Sequence, residues 1–127
     1  MKDREELEKF EKLIGQLRGL HEEIGLLAKK SPNDAVNAFK LRLINKVVTS
    51  ANTTLGLGYL PFDDFEAFDT DDMPSNSDVT LVLAQYLEES ERYRSDNVEQ
   101  YGGVWWYVVN GERSDVRTSA PSKVIIQ

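Results

Sequence analysis

"DREELEKFEKLIGQLRGLHEEIGLLAK", residues 3–29, decides the fold class. Leu7, Phe10, Leu13, Ile14, Leu17, Leu20, Ile24 and Leu27 recur at spacings of three and four, which places them on one side of an α-helix. The lines Leu7/Ile14/His21 and Phe10/Leu17/Ile24 are those of a heptad seam. Leu13/Leu20/Leu27 widen the seam into a face that can serve more than one neighbour. Gly15, Gly19 and Gly25 interrupt the pattern, each at a cost of about 1 kcal/mol relative to alanine. They are either weak points in the helix or, at Gly15 and Gly19 one turn apart, a place where another backbone can approach.

Working outward, "KKSPND" (29–34) reads as the end of one helix and the start of the next. Lys29 and Lys30 suit a helix carboxyl terminus, Ser31 can cap, and Pro32 fits a first helical position. The second helix is expected from about Pro32 to Thr54, with Val36, Phe39, Leu43, Val47 and Ala51 on one line and Leu41, Ile44, Val48 and Leu55 beside it, stopping at Gly56–Gly58. A third helix is expected from about Ser77, its apolar line running through Val79, Val82, Leu83, Tyr86, Leu87, Tyr93, Val98 and Tyr101 to a stop at Gly102-Gly103. "VWWYVVNGERSDVRT" (104–118) is a strand signal around an Asn110-Gly111 pair suited to a type I′ turn. A two-residue turn pairs Val109 with Glu112 and Trp105 with Val116, and sets Trp106 and Val108 opposite Asp115 and Arg113. The expected fold is mainly α: a helical hairpin plus a third helix, completed by a small C-terminal β-hairpin. The chain is expected to form a single domain over 1–127, with 119–127 a loose tail whose "KVIIQ" could add to a sheet edge.

Composition narrows the chemistry. With 127 residues, no cysteine and one histidine, the chain offers neither disulfides, thiolate catalysis nor a histidine-rich metal site. "MKDREELEKF" lacks the apolar run of a secretory signal, and "VVTSANTTLGLGYLPF" (47–62) is too short and polar to span a bilayer. A soluble cytoplasmic protein with no membrane role is the expectation. The formal charge of −7 is segregated: residues 59–101 hold twelve acidic and two basic groups, while residues 1–30 are balanced at seven and seven. Such a field repels nucleic-acid phosphates and favours a basic protein partner.

The densest acid is "FDDFEAFDTDDMPSNSDV" (62–79), seven acidic groups in eighteen residues without one lysine or arginine. It fails as an EF-hand loop: counted from Asp69, the fifth position is Met73, the sixth Pro74 and the twelfth Thr80. "DTDD" (69–72) has the outline of a phosphohydrolase nucleophile motif but lacks the buried strand that precedes one. As a connector, Phe62, Phe65 and Phe68 would pin a short helical turn to the core, and Pro74–Asp78 would cap the third helix. As a docking surface, Asp63, Asp64, Glu66, Asp69, Asp71 and Asp72 would face a basic partner. A weak cation site is the remaining reading of the stretch.

Trp105, Trp106, Tyr107 and Arg113 form a second candidate, a ligand or interface surface, because strand alternation puts the two tryptophans on opposite faces; Arg117 can add a further cation–π contact. An alternative function is a divalent-metal-dependent nucleotide or phosphoester hydrolase using Glu22 and Glu23 with Glu88, Glu89, Glu91 or Asp96, although their spacing matches no metal motif. His21, alone, reads as a core or boundary residue. No catalytic residue, metal ligand or cofactor is singled out. The preferred function is an interaction module, homodimeric through the first helix or the hairpin, of which an inhibitor or immunity-type neutraliser of a basic toxin is one form.

Overall fold

A computed structural model describes residues 1–122. The first apolar stripe forms α1 (Arg4–Lys30), capped by Asp3, whose carboxylate accepts the Glu6 N–H. Leu7, Phe10, Leu13, Ile14, Leu17 and Ile24 are buried along it. α2 (Ala38–Leu55) lies antiparallel to α1, with Lys40 on Glu23, and α3 (Asn76–Ser95) also runs antiparallel to α1, with Phe10 on Tyr93 at one end and Gly25 beside Thr80 at the other. None of the described helices is long and apolar enough to cross a membrane.

α2 starts at Ala38 rather than Pro32. Ser31 closes α1, its N–H on the Leu27 carbonyl, and Asn37 is the cap of α2, accepting the Lys40 N–H. Residues 31–37 are instead paired with the entry to α3: Val36 N–H donates to Pro74 O, Asn76 N–H to Asp34 O and Ser77 N–H to Pro32 O. The two interhelical connections thereby satisfy each other's backbone groups, including the leading N–H groups of α3 that would otherwise lack partners. Leu41, Ile44, Val47, Val48, Ala51 and Leu55 are buried, whereas Phe39 and Leu43 lie on the flank of α2, 61% and 40% exposed.

α3 ends at Ser95 and does not continue to Tyr101. Asp96 and Asn97 close it, and the Asn97 side-chain amide donates to the Tyr93 carbonyl. Val98–Tyr101 then form β1, which pairs with β2 (Val104–Val109), and β2 with β3 (Glu112–Thr118), giving a three-stranded antiparallel sheet in place of the expected hairpin. Gly102 and Gly103, at φ of +61° and +75°, turn β1 into β2, a conformation other residues reach with strain. Asn110 and Gly111 turn β2 into β3 with φ of 53° and 75°, as a type I′ turn requires.

Val109 faces Glu112 and Val108 faces Arg113, but Trp106 meets Arg117 and Trp105 meets Thr118, two positions beyond the simple register. The cause is a bulge in β3, where the Ser114 hydroxyl takes the Val116 N–H. One buried cluster joins all three helices to the sheet through Tyr107, which sets its ring edge on Phe10. The tail expected from residue 119 lies only partly among the described residues. Ser119 and Ala120 carbonyls accept from Arg94 and Ser122 donates to Glu91, while "KVIIQ" (123–127) lies outside the described residues.

Candidate functional site

The acidic segment connects α2 to α3 and is not helical at its phenylalanines. Short 3-10 turns lie on either side, at Leu57–Tyr59 and Thr70–Asp72. The phenylalanine rings nevertheless pin it: Phe62, Phe65 and Phe68 stack edge to face in succession, and Phe65 continues the chain to Tyr86 on α3. Two asparagines of α2 hold the backbone between them. Asn45 accepts the Phe68 N–H and donates to the Phe68 carbonyl, both at 2.9 Å, matching both main-chain groups as a neighbouring strand would. Asn52 donates to the Glu66 carbonyl and accepts the Tyr86 hydroxyl. Neither asparagine was singled out by the sequence reading. The available signal was two asparagines one heptad apart inside a helix, where their propensity is poor.

Around this scaffold, Asp63, Asp64, Glu66, Asp69, Asp71 and Asp72 are all exposed. Among the described residues none of the six makes an ion pair. Asp69 has a local role, accepting the Asp71 N–H at the start of its 3-10 turn. Met73 follows at φ 48° and reverses the chain, and Ser75 caps α3 by accepting the Asp78 N–H. The segment is therefore a capped connector whose six carboxylates take no part in ion pairing among the described residues.

The sheet separates the second group of candidates. Tyr107 is buried in the core at 2% exposure, and Trp105 is half-buried. Trp106 faces outward, its indole N–H donating to the Tyr101 carbonyl and the Arg117 guanidinium 5.7 Å from its ring centre. Arg113 reaches along this outer face to lie 3.7 Å from the ring centre of Tyr101, a residue that sequence reasoning had assigned to a helix. Trp106 and Arg113 are thus brought together, and Trp105 and Tyr107 are not with them.

Four of the helical carboxylates proposed as metal ligands, Glu23, Glu89, Glu91 and Asp96, are engaged with other side chains. Glu23 holds Lys40, Glu89 holds Arg92, and Asp96 accepts the Tyr59 hydroxyl. Glu91 receives the fork of Arg94, with contacts of 2.7 and 2.8 Å, together with the Ser122 N–H and hydroxyl. Burial pushes the Glu91 carboxyl up, but the hydrogen bonds from Arg94 and Ser122 outweigh it and bring the carboxyl from its ordinary 4.5 down to about 2. Among the described residues no three His, Asp or Glu side chains gather where a metal ion could sit. His21 lines a shallow groove between α1 and α3 with Glu22, Leu26 and Thr80. No family model matches this chain, and no curated protein or solved structure does so either.

Proposed function

We propose that the protein is a non-enzymatic interaction module that presents residues 63–72 to a basic protein partner. The observation that carries this reading is the combination of six exposed carboxylates without ion pairs among the described residues and a backbone fixed from behind by Asn45, Asn52 and the phenylalanine stack. A segment that only joined two helices would gain nothing from so much like charge, which costs self-repulsion. A rigid acidic surface loses little entropy on docking and steers a basic target during encounter. An inhibitor or neutraliser of a basic toxin or nuclease has the same requirements and is one form such a module can take.

Reversal of Asp64, Asp71 and Asp72 to lysine tests the proposal, because it inverts the surface while leaving the Asp69 cap in place. Loss of partner capture at unchanged melting temperature is expected, and undiminished capture contradicts the proposal. A second reading rests on the Arg113–Tyr101 stack beside Trp106, which offers a flat cationic and aromatic surface to a small ligand. Saturable quenching of tryptophan fluorescence that disappears in Trp106→Phe but persists in Trp105→Phe would support it.

A further inference from the structure

The outer face of the sheet carries charge of the opposite sign to the connector. Arg113 and Arg117 stand four residues apart on β3, a spacing that a regular strand would stretch to about 13 Å. The bulge shortens it. Arg113 pairs with Val108 and Arg117 with Trp106, two positions apart on β2, so the two arginines share one face with their Cα atoms about 7 Å apart. Their head groups end on two aromatic rings: the Arg113 guanidinium lies 3.7 Å from the ring centre of Tyr101 and that of Arg117 5.7 Å from Trp106. The Trp106 indole N–H donates to the Tyr101 carbonyl, which joins the two supports.

Among the described residues the Arg113 and Arg117 side chains make no ion pair and no hydrogen bond, although the chain has 22 acidic residues against 15 basic ones. The carboxylates nearest in the sheet do not supply one. Asp115 turns to Arg4 at 2.7 Å, and Glu99, across from Trp106 on β1, pairs with neither arginine. Both arginines are exposed, as is Tyr101. A ring against a guanidinium restrains its plane while leaving the N–H edge free to bond.

We propose that this face docks an acidic protein segment, with two carboxylates close together in sequence held by Arg113 and Arg117. Charge complementarity sets the sign of the partner: guanidinium groups pair with carboxylates through two parallel N–H bonds, and braced arginines lose little freedom in doing so. Shape sets its kind, since the face is shallow and small molecules are held in concave pockets. A nucleic-acid strand fits less well. Each ring already has a guanidinium against it where a base would stack, and the net charge of −7 repels a run of phosphates. The inference rests on the second reading above in taking this face as a binding surface, and differs from it in the occupant.

The test titrates the full chain with a tetraglutamate peptide at fixed ionic strength, following the two indole N–H resonances. Free glutamate, a tetralysine peptide and a short oligothymidylate serve as comparators. Tetraglutamate should move the Trp106 resonance saturably and leave that of Trp105 in place, with free glutamate binding at least roughly tenfold more weakly and tetralysine not at all. Arg113→Gln combined with Arg117→Gln should weaken the peptide roughly tenfold or more, and the exposure of both residues keeps the variant folded. No saturable movement of Trp106 with tetraglutamate, or undiminished affinity in the double variant, would overturn the proposal. Free glutamate binding as tightly as the peptide would overturn it in favour of the small-ligand reading, and tighter binding of the oligothymidylate in favour of a nucleic-acid surface.

Discussion

Glu91 and the six carboxylates of residues 63–72 are the same chemistry put to opposite uses. Glu91 is sheltered on α3, takes both arms of Arg94 and the hydroxyl and N–H of Ser122, and so ties the chain after β3 to the helix. Arg94 is only 5% exposed, and that pair is its compensation for leaving water. The acids of the connector lie in solvent with no cation against them among the described residues, while neutral groups, the amides of Asn45 and Asn52 and three phenyl rings, hold the connector in place. The contrast teaches that charge stabilises this fold where it is paired and enclosed, and that the most acidic stretch of the chain contributes little to stability.

Stability measurements can break that contrast. The largest effect is expected from Glu91→Gln, which leaves Arg94 buried without a counter-charge and should cost about 3–5 kcal/mol in urea unfolding. Acid gives the next largest. The folded-state value of Glu91, about 2, lies below its ordinary 4.5, so its contribution is fully present above pH 4.5 and is lost as the pH falls through about 2. That loss should amount to about 3 kcal/mol between those limits, and the part due to Glu91 should vanish in Glu91→Gln.

Asn45→Ala, which orphans both main-chain groups of Phe68, should cost about 1–3 kcal/mol and speed amide hydrogen exchange around residue 68. Smallest of all, Asp64, Asp71 and Asp72 reversed together should change stability by no more than about 0.5 kcal/mol. If the triple reversal destabilised the chain as much as Asn45→Ala, the division between structural and presented carboxylates would fail.

How far the sequence foretold these arrangements depends on whether the determining partner was local. The stripe from Leu7 to Leu27 specified α1 because every contact that orients it follows from one period, and Asn110-Gly111 specified its turn because the left-handed backbone is a property of those two residues. The start of α2 was misread because Ser31 and Pro32 form a plausible local cap, and only the bonds their carbonyls accept from Asn76 and Ser77, more than forty positions away, draw them out of the helix. β1 was hidden for a similar reason: Val98 and Tyr101 continue the helical spacing of α3, and the glycines that end a helix also turn a hairpin.

Of the candidate site, the six acids and their exposure were readable from composition. The scaffold of Asn45 and Asn52 was not, since an asparagine inside a helix gains its meaning from a backbone it meets in space. Nor was the bulge that brings Arg117 across from Trp106, because it depends on a Ser114 hydroxyl replacing a bond of the strand ladder.

The most direct test of the central claim is affinity capture with the wild-type chain and the Asp64/Asp71/Asp72→Lys variant side by side, at low and high salt, after their melting temperatures have been matched. The account predicts a basic protein retained by the wild type, released as salt rises, and not retained by the variant. Retention of the same protein by both chains, or retention indifferent to salt, would contradict it.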